Sequence, residues 1–215
     1  MTPVSGRRTA GDLLPALLLL PLLLALSSCA GVPKIIVLED PLSPDEHVTL
    51  GVAYERKGEL DPAAREYERA LAKAPAFFRA RVNLGNVRLA QQRYGEARKE
   101  YLAALDLRPG DPEATNNLAW AAIHSGKDRE DALRRMEAVL ANPKHRSPQL
   151  LDTLGVLLVE LSRPVEAERA FAEAERMCGA GDPSCTNGVA KEIREHRDAL
   201  RKRFPPPAGG APLVK

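Results

Sequence analysis

The sequence predicts an all-α protein, a solenoid of about four helix–turn–helix units closed at its C-terminal end by one further helix. Three observations carry this expectation. Leu50-Gly51, Leu84-Gly85 and Leu118-Ala119 recur at intervals of 34 residues, and Leu154-Gly155 follows 36 later, a fixed period of the kind that marks stacked repeats. Alanine and leucine abound while aromatic residues make up only 4% of the chain, a balance that favours helix over sheet. Pro75, Pro109 and Pro143 stand at the ends of successive units, where a residue without a backbone N–H blocks helix continuation.

Taken in chain order, residues 1–28 come first. Arg7 and Arg8 oppose one acid, Asp12, ahead of the fourteen-residue apolar run Leu13 to Leu26. A membrane-spanning helix needs about 20 apolar residues, so the run fits a secretory signal segment, with its basic start, short apolar middle and small-residue end. Leu26-Ser27-Ser28-Cys29 resembles the lipobox of bacterial lipoproteins. That resemblance implies diacylglycerol on the Cys29 sulfur, cleavage just before Cys29, and acylation of the new amino terminus with a chain such as palmitate. Two or more acyl chains hold a protein stably on a bilayer where one does not. Ala30, rather than Asp, follows the cysteine; by the same resemblance this implies an outer-membrane lipoprotein facing the periplasm, in an organism that has an outer membrane. Residues 29–43 then link the anchor to the repeats. Within them Ile35 to Leu38 is too apolar for a free tether and either lies along the first repeat or runs extended.

Residues 44–181 form the repeats. The first, 44–77, carries Leu50, Gly51, Tyr54, Gly58, Ala63, Tyr67, Ala70 and Pro75. The second, 78–111, carries Leu84, Gly85, Tyr94, Ala97, Tyr101, Ala104 and Pro109. The third, 112–147, carries Leu118, Ala119, Gly126, Ala132 and Pro143, with one residue too many in the turn "SGKDRED". The fourth, 148–181, carries Leu154, Gly155, Ala167, Phe171 and Ala174 without a closing proline. This pattern resembles the tetratricopeptide repeat, L-G-x-x-Y followed by A-x-x-x-F/Y and then A and P. It departs from it at the first aromatic position, where His47, Arg81 and Thr115 replace tryptophan. Ser43-Pro44-Asp45-Glu46 announces the first helix with an N-cap serine, a proline at N1 and a glutamate at N3. All these residues are read as fold rather than site.

After the fourth unit, "CGAGDPSCTNG" breaks the period. Val189, Ile193, His196 or Arg197, and Leu200 then recur at i, i+4, i+7 and i+11, so residues 182–204 are expected to supply a capping helix over 187–203. Residues 205–215, rich in proline and poor in apolar side chains, are expected to be disordered. Cys178 and Cys185 flank the loop. In an exported protein such a pair is normally a disulfide, and two free thiols are the alternative.

Composition narrows the function. The formal net charge is +2, and removing residues 1–28 leaves about +1, so the chain offers no concentrated basic face for nucleic acid. The four histidines are scattered, with no metal-ligand spacing and no phosphate-cradling glycine loop. No catalytic residue, metal or cofactor is expected. What a helical solenoid offers is a concave groove. In the tetratricopeptide family, positions two, five, six, nine, twelve and thirteen of each first helix face it. Carried onto this chain, the resemblance implies Arg79, Val82, Asn83, Asn86 and Leu89 from the second unit. The third adds Asn116, Asn117, Trp120, Ile123 and His124, and the fourth adds Asp152, Val156 and Val159. Asparagine amides pair with both N–H and C=O groups of an extended chain. Trp120, the single tryptophan, is either a groove anchor or a core residue between units. The fifth positions Val48, Val82, Asn116 and Asp152 are not the lysines and arginines of chaperone-binding members. The whole is similar to the pilotins of type IV pili and the lipoproteins of tight-adherence pili. That implies a non-enzymatic, membrane-anchored scaffold for a protein partner, assisting assembly of a pilus, secretion or other envelope machine. A non-catalytic companion of an exported peptidase is the second expectation, and an enzyme in its own right the third.

Overall fold

The computed structural model describes residues 40–205. The signal segment, Cys29, the Ile35–Leu38 stretch and residues 206–215 lie outside the described residues. The described helices belong to the compact unit that begins at Leu42. They are α1 (Pro44–Arg56), α2 (Leu60–Lys73), α3 (Phe78–Ala90), α4 (Tyr94–Leu107), α5 (Pro112–Ser125), α6 (Arg129–Leu140), α7 (Pro148–Glu160), α8 (Pro164–Gly179) and α9 (Asn187–Arg203). A short 3-10 helix, Pro143–His145, precedes α7. Among the described residues there is no strand, and no helix is long and apolar enough to cross a membrane.

Local chemistry explains where these helices start and stop. The Ser43 hydroxyl accepts from the Glu46 N–H at 3.3 Å while the Glu46 carboxylate accepts from the Ser43 N–H at 2.7 Å, the reciprocal box that opens α1. Asp111 and Ser147 cap α5 and α7 from one side only, their side chains accepting from the Ala114 and Leu150 N–H groups, each followed by a proline at the first helical position. Gly126 closes α5 at φ 71°, a conformation that costs glycine little. The extra residue of the third unit falls in the next turn. Its second helix begins seventeen residues after the start of the first, against sixteen in the other three units, and Asp128 takes a positive φ to accommodate it.

Consecutive helices pair as α1/α2, α3/α4, α5/α6 and α7/α8, and successive pairs stack. Alanines at the crossings, including Ala63, Ala97, Ala132 and Ala167, are buried and let the two helices of a unit approach closely. The aromatic rings of Tyr67, Tyr101 and Phe171 fill the space beside them and are fully buried. The non-aromatic residues at the first aromatic position are accommodated by partners on the second helix. His47 Nδ1 meets Glu66 Oε2 at 2.8 Å, and Arg81 meets Glu100 at 3.0 Å, nineteen residues on in both cases. The fourth unit solves the same problem with apolar residues, Leu151 and Ala170.

Helix α9 caps the stack along α7 and α8. Its buried residues are Ile193 and Leu200, with Val189 packed beside them. The rest of its hold is polar: Arg197 and Arg201 on Glu168, Arg197 on Glu175, Arg203 on Glu160, and His196 on Asp152. Cys178 and Cys185 are joined as a disulfide across the connecting loop, their Cα atoms 5.2 Å apart.

Candidate binding groove

The first helices α1, α3, α5 and α7 supply the side chains expected to face a partner, and the structure divides them into three groups. The first is a polar row along α3 and α5. Tyr101 donates its hydroxyl to Asn86 Oδ1 at 2.8 Å, and Asn117 Nδ2 donates to the same oxygen at 2.9 Å. Asn116 Nδ2 lies 3.4 Å from Asn117 Oδ1. With its oxygen taken twice, Asn86 is left with its Nδ2 donor for an incoming carbonyl. One unit earlier, Tyr67 donates to Glu55 at 2.5 Å. Burial pushes both tyrosine hydroxyls well above their ordinary range, with the Glu55 carboxylate adding to the effect at Tyr67. Both therefore stay protonated as fixed donors.

The second group is a column of three rings. Trp120 stacks on His124 with centroids 5.6 Å apart, and His124 stacks on Tyr94 of α4 at 5.5 Å. Trp120 is half-buried and His124 is exposed. A cavity of about 510 Å³ opens beside the column, lined by Asn86, Leu89, Ala90, Tyr94, Asn117 and His124. Ile123, on the same helix, is half-buried against the core.

The third group lies at the opposite ends of these helices. A cavity of about 820 Å³ is lined by Asp45, Phe77, Phe78, Arg79, Asn83 and Arg108, among others. Arg108 lies over the Phe78 ring at 4.1 Å, and Arg79 pairs with Asp45 at 2.8 Å. Phe77, Phe78, Arg108 and Tyr94 did not figure among the expected groove residues. Phe77 and Arg108 sit in the inter-unit turns, Tyr94 on a second helix and Phe78 at the very start of α3, whereas the expectation counted selected positions further along first helices.

Two expected residues offer the groove almost no surface, although Val82 lines the cavity beside Phe78 and Arg79. Val82 is 2% exposed and belongs to the core with Tyr101, Ala114 and Leu118. Its short side chain ends among the apolar atoms between the second and third units. Asp152 is 7% exposed, and both its oxygens lie 2.9 Å from His196 Nδ1; the capping helix has taken the carboxylate. Val156 and Val159 are half-buried against the core of the fourth unit. The polar and aromatic groove side chains therefore come from the first three units.

No group of His, Cys, Asp and Glu among the described residues is placed to hold a metal ion. Stacked helix pairs that present an amide row and a ring column along α3, α4 and α5 define a helical-repeat scaffold. The chain carries tetratricopeptide repeats: the family model of that description matches residues 48–112 and 89–129. A rat protein, RNA polymerase II-associated protein 3, is 27% identical over 155 residues, covering 71% of this chain and 20% of its own length. Among solved structures, the anaphase-promoting-complex hetero-tetramer Cut9–Hcn1 superposes with a TM-score of 0.66 at 16% identity, over 78% of this chain and 31% of that one. MamA of Desulfovibrio magneticus RS-1 gives 0.59 at 20% identity, over 65% and 78%. PilF of Pseudomonas aeruginosa gives 0.58 at 21% identity, over 75% and 71%. The chain thus spans about a fifth of the curated relative and about a third of the Cut9–Hcn1 chain it matches. At these identities the structural likenesses establish the fold alone, an all-α helical-repeat solenoid.

Proposed function

We propose that this protein is a membrane-anchored scaffold that holds a protein partner in the groove of its first three repeats and assists assembly of an envelope machine, a pilus or secretion complex. It works by holding its partner, without turnover of its own. The observation that carries the holding role is the placement of the Asn86–Asn117 amide row beside the Trp120–His124–Tyr94 column on α3, α4 and α5. Amides match the backbone of an extended chain, and a partly exposed indole is the side chain best able to anchor one. The anchor rests on Leu26-Ser27-Ser28-Cys29, and Ala30 favours the outer membrane, periplasmic side. The sequence resemblance to pilotins and tight-adherence lipoproteins, with the fold likeness to PilF, favours pilus or secretion assembly over companionship of an exported peptidase.

Cells fed a clickable fatty acid should tag the wild-type chain, and Cys29→Ala should abolish the tag and free the protein from membranes. Equal tagging of the variant removes the anchor from the proposal. Crosslinked co-purification from membranes then identifies the partner. Recovery of envelope-assembly subunits supports the reading, and recovery of a peptidase replaces it with the companion role.

A further inference from the structure

The end of the solenoid holds a surface with charge and shape of its own. On α7 and α8, Asp152, Glu160, Glu168 and Glu175 surround the apolar face that receives Ile193 and Leu200, both fully buried. Against them α9 sets His196, Arg197, Arg201 and Arg203. Glu168 alone accepts from Arg197 Nε at 3.0 Å, Arg197 Nη2 at 2.6 Å and Arg201 Nη2 at 2.9 Å. This face fits one kind of ligand, a helix with a thin apolar stripe flanked by cations. Helix α9 is that ligand, and a second copy of the chain carries another.

Two features decide whether the second copy's helix can be used. The apolar anchoring of α9 is thin, with two buried residues in a helix of 17, so ion pairs carry much of the contact. The link to α8 is short and tied. The Cys178–Cys185 bridge holds the end of α8 and the approach to α9 with Cα atoms 5.2 Å apart. Opened, the same seven-residue separation reaches up to about 24 Å.

We propose that the Cys178–Cys185 bridge locks the α9 cap onto its own α7–α8 face, and that a dithiol reductant, by opening it, allows two copies to exchange caps and form a dimer. Reduction replaces the S–S bond by two S–H groups while the reductant's two thiols close into its own disulfide, so two electrons and two protons are transferred. Every contact of the docked cap re-forms across the dimer, because the exchanged helix is identical. Only the loop 180–186 changes conformation.

The test is analytical ultracentrifugation of the full chain in density-matched detergent, with Cys29→Ala throughout to exclude a third thiol. Oxidised protein should sediment as a monomer. Cys178→Ser/Cys185→Ser should shift to a dimer as concentration rises, with helical circular dichroism unchanged. If that variant loses helix content, the bridged chain held in a dithiol reductant takes its place and must meet the same outcomes. Exchange is separated from other dimerisation by mixing two bridge-free variants, Arg197→Glu and Glu168→Arg. Each mismatches its own cap, but across a mixed dimer one interface pairs Glu with Arg and the other is wild type. A heterodimer that forms only on mixing supports the proposal. A bridge-free chain that stays monomeric at every concentration overturns it, as does a dimer whose mismatched variants fail to pair.

Discussion

Gly85 lies directly against the ring of Tyr101: a β-carbon on it would stand 2.5 Å from Cε1. A β-carbon on Gly51 would stand equally close to the ring of Tyr67, and one on Gly155 to that of Phe171. The third unit changes both members of the pair, placing Ala119 and Met136 in one buried cluster. A flat, rigid ring lying across the first helix leaves no room for a methyl group, whereas a thioether with three rotatable bonds can bend around one. The repeat is therefore defined by a pair of residues more than by either alone.

Gly85→Ala should destabilise the fold by about 1–3 kcal/mol, the usual cost of overpacking a tight core. Adding Tyr101→Met, which rebuilds the third unit's arrangement, should recover part of the loss. Urea unfolding of the two single variants and the double variant checks this. A double-mutant-cycle coupling below about 0.5 kcal/mol, the size expected of independent sites, would show that the two positions do not act as a pair.

The capping helix should respond to pH through His196. Its imidazole donates to Asp152 of α7, which raises its pKa, against the opposing effect of burial; Glu192 and Glu195 of its own helix reinforce the rise. The other charged groups at this face are Glu160, Glu168 and Glu175, each already paired with arginine. A raised folded-state pKa means that the stabilising contribution is complete below the unfolded value, about 6.5, and is lost as pH rises through the folded one. Hydrogen exchange of α9 amides, corrected for intrinsic rates, should thus show better protection at pH 5.5 than at pH 8.5. His196→Asn should flatten the difference. An equal difference in the variant would assign the response to another group.

Much of this architecture is legible in the sequence because repeats state the same packing problem several times. The 34-residue recurrence of Leu-Gly, the surplus residue before α6 and the Ser43 box each reflect a local requirement, and each is found where the residues place it. The groove was legible only in part. Counting along a first helix identifies the face a side chain leaves from, not what lies across from it. Val82 and Asn83 are neighbours on α3, yet Val82 disappears under Leu118 and Ala114 while Asn83 stays half-exposed. Asp152 occupies a groove position but meets His196, forty-four residues away. That contact depends on how α9 docks, and no periodicity encodes it.

Glu168 should be the side chain on which α9 depends most. Burial works against its ionisation, but hydrogen bonds from Arg197 and Arg201 outweigh it, and its pKa is lowered. Glu168→Ala removes the acceptor that Arg197 and Arg201 share and leaves Arg197 with Glu175 alone, so the cap should loosen by about 1.5–3 kcal/mol, the range for hydrogen bonds to charged groups. Exchange should rise in α9 while α1–α4 stay protected. Uniform loss of protection along the whole chain would mean instead that the solenoid unfolds as one unit with its cap.

Trp120→Ala should weaken partner capture by about 2 kcal/mol or more and lower the melting temperature by only a few degrees. The indole is half-buried, outside the fully buried core, and its stacking neighbour His124 is exposed. The inward positions of α5 are already filled by Leu118, Ala119, Ala121 and Ala122, all buried. Truncating Trp120 therefore opens no sealed cavity, and the loss of half-exposed ring contacts is on the order of 1 kcal/mol, which moves the midpoint of a domain this size by about 2–4 °C. A partner that covers the Trp120–His124–Tyr94 column would instead lose its principal apolar contact. His124→Ala, which removes the middle ring, should weaken binding less than Trp120→Ala because the indole remains available. Calorimetric titration with the captured partner and thermal unfolding of each variant separate the two effects. If Trp120→Ala lowers the melting temperature by ten degrees or more and leaves affinity per folded molecule intact, the indole is a structural wedge between the second and third units. Binding would then have to be assigned to the opposite end of the groove, around Phe77, Phe78 and Arg108.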